Sequence, residues 1–457
     1  MTRYPARKYP YSIFTHSVGA NVAGHSLLAK LRAVADAGFD GIELFQDDLD
    51  AFAQSEEFRQ IQQQNDLLVV HQQQLLSLTP PESPMNFSRR MSGSSELSDS
   101  SSSTSASTSA QESNAKGKFQ PFANEDDLLV RDARGELVIG LDGLPMTYNA
   151  FGACTATTYR QEMAAALYLS SYCETLGLRI YSLQPLRDFE GWADEKDQEL
   201  ALKRARSRFD IMRALGADLL LICSNNQKSP ATTGDLSKIG RDLAALGQYA
   251  EAFGPIMALT GREEGYPIRS SVPIRIGFEA LSWGAHVDVW SRAWDAVRLA
   301  DRHNVGLILD SFNTLGREYA DPCSPTGIQT APETYTNLMA SLDQLTQVPA
   351  DKIFFLQIGD ARKMEQPLEP SPNEHEPRPA RMIWSRGNRL FPCEFDRGAF
   401  LPVKEFVYHA VVAAGYQGPW SIEVFNSSLN EENDAVPSTH ARRARTGLDR
   451  LVEQVHA

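Results

Sequence analysis

Short apolar runs alternate along this chain with longer segments of helical periodicity. The runs are rich in β-branched and aromatic residues, as buried strands are, while the longer segments repeat apolar residues three and four apart. The predicted strands are Tyr11–Phe14, Gly41–Phe45, Arg179–Leu183, Leu219–Cys223, Arg275–Phe278, Val305–Leu309, Ile353–Ile358 and Trp420–Val424. The predicted helices are Leu27–Ala37, Thr158–Leu176, Lys196–Leu215, Leu236–Phe253, Val289–His303, Ala331–Leu345, Val403–Ala414 and Ser438–Val455.

Glycine follows several predicted helices directly before the next strand, as at Gly38, Gly177, Gly216 and Gly415. Glycine there can adopt the left-handed conformation that ends a helix and turns the chain back toward the sheet. Strands alternating with helices predict a parallel sheet wrapped by crossover helices. Eight such units favour a closed (β/α)8 TIM barrel, and we interpret residues 1–457 as a single α/β catalytic domain.

One long segment interrupts this pattern after the second strand. From Ser92 to Ser113, 12 of 22 residues are serine. Such a stretch cannot bury enough apolar area to offset the entropy of ordering it. We therefore predict an insertion over residues 72–150, with residues 85–118 disordered and a strand-like patch at Glu136–Leu141.

The composition narrows the class of partner. Lys and Arg total 44 against 58 Asp and Glu, a formal charge of −14 that repels phosphate backbones and disfavours nucleic acid. No apolar run approaches the roughly 20 residues of a membrane span. Five scattered cysteines without a CxxC pair indicate neither a disulfide framework nor a thiolate zinc site. We expect a cytoplasmic protein acting on a small molecule; a homo-oligomer is compatible with the sequence.

Polar residues end four consecutive predicted strands. In a (β/α)8 barrel the chemistry gathers at the carboxyl ends of the strands. Carboxylates after apolar runs lose hydration unless a cation or hydrogen-bond donors compensate, and oxygen ligands suit Mg²⁺, Mn²⁺ or Co²⁺. The alternative is that each carboxylate pairs with a nearby arginine or caps a helix. The predicted metal ligands are Glu279, Asp310, Gln357 and Glu423.

Several strings in order resemble one enzyme family. Residues 41–45 (GIELF) look like the second-strand motif of the sugar-phosphate isomerase/epimerase-like barrels, which belong to the xylose isomerase-like superfamily. Residues 182–191, 278–287, 309–313 and 384–392 are similar to segments of 3-dehydroshikimate dehydratases. The resemblance covers roughly residues 11–71 and 155–430, and it implies a metal site at the same four residues.

The resemblance implies a lyase that removes water from 3-dehydroshikimate and forms protocatechuate, usually in quinate and shikimate catabolism. A divalent cation on the ring ketone would act as a Lewis acid, and a base would remove the neighbouring proton. Glu43 and His286 are candidate acid/base groups, although a lone histidine is more often structural. Asp360 could orient a ligand or cap a loop.

The carboxylate of such a substrate calls for arginine, whose planar fork matches two carboxylate oxygens. Arg187 follows the third strand, and the loop after the seventh strand offers Ser385, Arg386 and Arg389. These arginines could instead neutralise nearby acidic residues of that loop. Asn313 stands where bacterial relatives often carry histidine, and we expect it among the substrate contacts.

Two rival interpretations remain at this point. A metal-dependent sugar or sugar-phosphate isomerase or epimerase would keep the barrel and the metal, but would need two opposed acid/base groups and no carboxylate-binding arginines. A non-catalytic barrel would act as an interaction scaffold through the serine-rich loop. An apurinic endonuclease is disfavoured, because nine histidines and an acidic chain do not suit a multi-zinc DNA enzyme.

Overall fold

Eight parallel strands close into a barrel in sequential order. The structure is a computed structural model that describes residues 9–65, 128–263 and 266–457. The barrel strands are β1 Tyr11–Phe14, β2 Gly41–Phe45, β3 Arg179–Leu186, β4 Leu219–Cys223, β5 Arg275–Glu279, β6 Val305–Asp310, β7 Ile353–Ile358 and β8 Trp420–Ile422. All eight predicted strands are confirmed, and the predicted TIM barrel with them.

Helices connect the strands and surround the barrel. They are α1 Leu27–Asp36, α2 Gln46–Gln54, α3 Ala156–Leu176, α4 Glu195–Leu215, α5 Leu236–Phe253, α6 Trp290–Ala300, α7 Ser311–Glu318, α8 Thr334–Leu345, α9 Ala380–Asn388, α10 Val403–Val407 and α11 Val436–His456. The predictions missed α2, α7 and α9. The helices α2 and α7 follow strand ends directly, where polar site residues mask the helical periodicity, and α9 lies within the long connection after β7.

An antiparallel ribbon, Ile256–Glu263 with Tyr266–Val272, joins α5 to β5 and was also missed. Most of its residues are exposed on both faces. The ribbon therefore lacks the regular alternation of apolar and polar residues that predicts a strand. The predicted insertion is described from residue 128 onward. There, residues 128–146 form isolated bridges rather than a regular strand, and a small hairpin pairs Thr147–Asn149 with Gly152–Cys154.

The serine-rich run and the predicted disordered segment 85–118 lie outside the described residues. By compactness the chain divides into residues 1–58 with 124–457, which hold the barrel, and residues 59–123. Of the second unit, only residues 59–65 are described, and they are helical. Among the helices that the structure describes, none is both long and apolar enough to cross a bilayer.

Strand register sets the height of each side chain in the barrel. Asp310 pairs with Gln357, and Gln357 pairs with Ser421, two residues before Glu423. Glu279 pairs with Cys223 on one side and Ile308 on the other. Because neighbouring strands are aligned in this way, the ends of β5 to β8 carry their polar side chains to one end of the barrel.

Candidate metal centre and substrate pocket

Three carboxylates meet at the carboxyl end of the barrel. Glu279 ends β5, Asp310 ends β6 and Glu423 follows β8; each is buried, and their ligand oxygens lie within 4.8 Å of one another. Three carboxylates at this spacing repel one another unless positive charge neutralises them. The structure thus brings together three of the four predicted ligands in the spacing a single cation requires.

Gln357, the fourth predicted ligand, lies in the same cluster. Its Nε2 donates to Glu43 Oε2 at 2.9 Å and to Glu423 Oε1 at 3.1 Å. Since carboxylates only accept, the amide is oriented with its nitrogen toward them. Its Oε1 is buried and has no hydrogen-bond partner among the described residues. An unpaired buried carbonyl oxygen is costly, and a cation would satisfy it.

The charges of the cluster are strongly perturbed. Burial and the neighbouring Glu423 and Asp310 carboxylates raise the pKa of Glu279 well above its ordinary value. Burial also raises the pKa of Glu423 to about 7, although Arg389 opposes the shift. A divalent cation would favour the ionised carboxylates. The donor set, three carboxylate groups and one amide oxygen, fits a hard divalent cation such as Mg²⁺.

Arg389 lies inside this cluster. Its Nη1 donates to Asp310 Oδ2 at 2.9 Å and to Glu423 Oε2 at 2.8 Å, and its Nε donates to Ser385 Oγ at 3.0 Å. Its guanidinium also stacks 4.2 Å over the Phe312 ring. The side chain is 1% exposed, so its positive charge interacts with the two carboxylates and not with solvent. Arg389 and Ser385, both predicted to bind substrate, line the pocket described below; Arg389 also pairs with the acidic residues, and Ser385 holds Arg389.

Asn313 bridges two of the carboxylates. Its Nδ2 donates to Glu279 Oε1 and to Asp310 Oδ2, each at 2.7 Å, while its Oδ1 accepts from the Ser282 amide at 3.0 Å. Asn313 was predicted to contact substrate. With both ends of its amide engaged, it instead holds the spacing of the two acidic side chains.

Glu43, a predicted base, is buried beside the carboxylate cluster. It is fully buried and accepts from Gln184 at 3.2 Å, Gln357 at 2.9 Å and Ser421 at 2.5 Å. Burial and the Glu423 carboxylate raise its pKa well above the ordinary value. Glu43 does not line the pocket beside the carboxylates, which is described below. The geometry therefore favours a role in holding Gln357 over proton transfer to a substrate.

The other two predicted catalytic residues, Asp360 and His286, do not line the pocket described below. Asp360 Oδ1 accepts from the amides of Ala361, Phe400 and Leu401, at 2.7, 3.1 and 2.9 Å. It therefore caps the loop after β7, the alternative left open by the sequence. His286 Nε2 lies 3.0 Å from Thr232 Oγ1, which ties the loop after β5 to the loop after β4. Neither residue lines the pocket.

A pocket opens directly beside the carboxylates. Its walls include Phe45, Phe425, Trp283, Leu281, Cys223 and Ser224, and both Glu279 and Glu423 reach it. Arg386 also lines the pocket, and its side chain is exposed. Its guanidinium carbon lies 5.1 Å from the centre of the Phe425 ring. Among the described residues, Arg386 forms no hydrogen bond or ion pair. Arg187 lines it as well, and its Nη2 lies 3.3 Å from Asp47 Oδ2. The pocket thus combines apolar walls, acidic residues and one unpaired guanidinium.

A second cavity lies at the opposite end of the barrel, where the strands begin. Arg179 and Arg275 line it, and both pair with Asp218, at 3.0 and 2.7 Å. Because these charges are already matched and the carboxylate cluster lies at the far end, we place the chemistry in the pocket beside Glu279.

The sequence analysis missed Cys223 and Gln184. Cys223 ends β4, and its Sγ donates to Glu279 Oε2 at 3.3 Å. Gln184 Nε2 donates to Glu423 Oε1 at 3.0 Å. Both stand at strand ends, and both could have been found by extending the search for oxygen ligands to all polar residues at those positions.

Comparison with known proteins agrees with this fold. A family model described as xylose isomerase-like TIM barrel matches residues 139–452. That match covers more than half of the chain, and the chain therefore belongs to the xylose isomerase-like TIM barrel family.

Within that family the chain is similar to proteins named 3-dehydroshikimate dehydratase. One from Neurospora crassa is 33% identical over 296 residues, which cover 64% of this chain and 77% of that protein. One from Pseudomonas aeruginosa is 36% identical over 259 residues, 56% of this chain. The match spans only 31% of that longer relative. Among solved structures, a xylose isomerase-like TIM barrel/4-hydroxyphenylpyruvate dioxygenase fusion protein has a TM-score of 0.55 at 25% identity, covering 98% of this chain and 43% of that chain.

Proposed function

We propose that the chain is a 3-dehydroshikimate dehydratase, a hydro-lyase that eliminates water from 3-dehydroshikimate to form protocatechuate in quinate and shikimate catabolism. The names of its relatives support this reaction. The observation that carries the proposal is one pocket holding a carboxylate cluster beside an unpaired guanidinium. A ring ketone and a carboxylate on one small substrate match these two features.

The carboxylate cluster is the proposed site of a divalent cation, Mg²⁺, Mn²⁺ or Co²⁺. Glu279, Asp310, Glu423 and the free Oε1 of Gln357 would hold it. Such a cation supplies Lewis acidity that stabilises negative charge developing on a carbonyl oxygen. Arg389 and Asn313 keep the carboxylates at their spacing through the hydrogen bonds described above.

Arg386 is the proposed anchor for the substrate carboxylate. Its fork presents paired donors, and no described acceptor competes for them. Arg187 contributes a second positive charge at the same wall, weakened by Asp47. An isomerase acting on a neutral sugar would have no use for this arrangement, which favours the dehydratase.

The apolar walls supply a further requirement of the reaction. Phe45, Phe425 and Trp283 line the pocket and match the flat ring that forms as water is lost. The carboxylates among the described side chains lining the pocket are Glu279 and Glu423, both of them proposed ligands of the cation. Water exclusion by the aromatic walls strengthens every electrostatic interaction in the site.

The cellular setting is part of the proposal. We propose a cytoplasmic enzyme whose partners are small molecules and not nucleic acids. The five cysteines are free, as a reducing compartment requires, and the charge of −14 opposes nucleic-acid binding.

The test uses the full-length chain stripped of metal. Absorbance of the aromatic product should grow with 3-dehydroshikimate only after Mg²⁺, Mn²⁺ or Co²⁺ is added, and not with simple ketoses. Glu279→Gln should abolish turnover, while Glu432→Gln, a change at an exposed carboxylate, should not. Product formation by the stripped protein, or equal turnover in both variants, would contradict the proposal.

A further inference from the structure

A buried glutamate joins the loops that form one wall of the pocket. Glu190 lies in the loop after β3 and is 2% exposed. Its Oε1 accepts from the Asn225 amide at 2.6 Å, and its backbone carbonyl accepts from Asn225 Nδ2 at 2.9 Å. Its Oε2 is buried with no hydrogen-bond partner among the described residues. Two hydrogen bonds to one residue thus fasten the loop after β3 to the loop after β4.

Asn225 carries the connection onward. Its backbone carbonyl accepts from the Ala285 amide at 2.9 Å, in the loop after β5. Its Oδ1 accepts from the Gln227 amide, also at 2.9 Å, which closes its own loop. The three joined loops contribute a large part of the pocket wall, namely Arg187, Ser224, Asn226, Leu281 and Trp283.

The surroundings of Glu190 disfavour a negative charge. The neighbouring titratable groups are Asp188 and Asp242, both acidic, and Lys238 is engaged with Asp242 at 2.9 Å. No cation forms an ion pair with Glu190 among the described residues. Burial raises the pKa of Glu190 to about 8, with a smaller contribution from the two aspartates. This environment favours the neutral carboxylic acid form of Glu190.

We propose that Glu190 is a positioning residue for the substrate pocket, which clamps the loop bearing Arg187 to Asn225 through these two hydrogen bonds. The role rests on the proposed function only in that the pocket binds the substrate. Glu190 does not line the pocket and does not touch substrate. Its effect reaches the substrate through the position of Arg187 and of the Ser224–Asn226 wall.

Ionisation of Glu190 should open the clamp. A buried anion between two aspartates loses more by desolvation than it gains from one backbone amide, so the ionised side chain should turn toward water. The wall would then loosen as the pH rises through the pKa of this group. The expected result is a rising KM with a nearly constant kcat, because the groups that perform the chemistry stay in place.

Two variants separate the clamp from a merely structural role. Glu190→Gln keeps the neutral acceptor at Oε1 and cannot ionise, so its KM should match the wild type near neutral pH and lack the alkaline rise. Glu190→Ala removes the acceptor and should raise KM roughly tenfold at all pH values. Glu199→Gln, at a carboxylate that is 63% exposed, is the matched control and should behave as the wild type.

Hydrogen exchange provides a readout independent of catalysis. Corrected for the intrinsic base-catalysed rate, exchange at the amides of Asn225 and Ala285 should accelerate in Glu190→Ala, and in the wild type at alkaline pH, but not in Glu190→Gln. If the wild type exchanges in this way yet has no dehydratase activity, the proposed function fails and the clamp stands. An alkaline rise of KM that persists in Glu190→Gln would overturn the clamp, as would slow exchange in Glu190→Ala. If Glu190→Ala does not fold, the pH profile of Glu190→Gln decides alone.

Discussion

Arg386 provides the sharpest test of substrate recognition, because it lines the pocket without a described protein partner. We consider Arg386→Gln, which removes the charge and the fork but keeps much of the side chain. Desolvation in the pocket lowers the pKa of Arg386, and the neighbouring Arg187 and Arg389 lower it further, so the cation is not stabilised by its surroundings. Its removal should change the free energy of unfolding by less than about 0.5 kcal/mol.

The effect on catalysis should be much larger. A charge-assisted hydrogen bond contributes about 1.5–3 kcal/mol, and the lower part of that range applies because Arg386 is solvent-exposed. The expected loss in kcat/KM with 3-dehydroshikimate is therefore roughly 10- to 30-fold, carried mainly by KM. Arg187→Gln should cost only about fivefold, because the guanidinium of Arg187 is already partly engaged with Asp47.

Steady-state kinetics and thermal unfolding of both variants measure these quantities. Arg378→Gln is a suitable control, since Arg378 lies in the same long loop after β7 and pairs with Glu376 at the surface. The reasoning would be refuted if Arg386→Gln destabilised the protein while leaving KM unchanged. A larger loss in Arg187→Gln than in Arg386→Gln would show that the substrate carboxylate binds at the other arginine.

Three further predictions concern the acidic cluster and its supports. Gln357→Leu removes the free amide oxygen, so titration calorimetry should show divalent-metal affinity falling about 10-fold or more; unchanged affinity would exclude Gln357 as a ligand. Arg389→Met leaves Asp310 and Glu423 without their buried cation, so the metal-stripped protein should lose about 3–5 kcal/mol in urea unfolding and recover part of it with Mn²⁺; equal stability without metal would contradict the pairing. Burial raises the pKa of Asp360 to about 7, so the native state holds a proton that the unfolded state releases, and stability falls as pH rises from about 4 to about 7. Asp360→Asn should flatten that decline in urea midpoints, and an unchanged pH slope would refute it.

The local pattern of the chain was sufficient to predict the barrel and the end of the barrel at which its acidic residues concentrate. Apolar strands buried on both faces, amphipathic helices and the glycines that end them are all properties of short segments. Glu279 and Asp310 directly follow the predicted strands. The sequence therefore predicted where each strand ends, and hence at which end of the barrel each carboxylate lies.

Tertiary structure decided which polar residues face the pocket. Glu43 stands two residues before the end of β2, where its buried carboxylate accepts from Gln357 and does not line the pocket. Asp360 follows the end of β7, where the chain turns to pair with Leu390, so its carboxylate meets backbone amides. Arg389 and Arg386 are three residues apart on the chain, yet one is buried among carboxylates and the other is exposed at the pocket. Sequence determines which groups are available; their depth and their partners depend on strand register and on contacts between residues far apart in the chain, which no local pattern records.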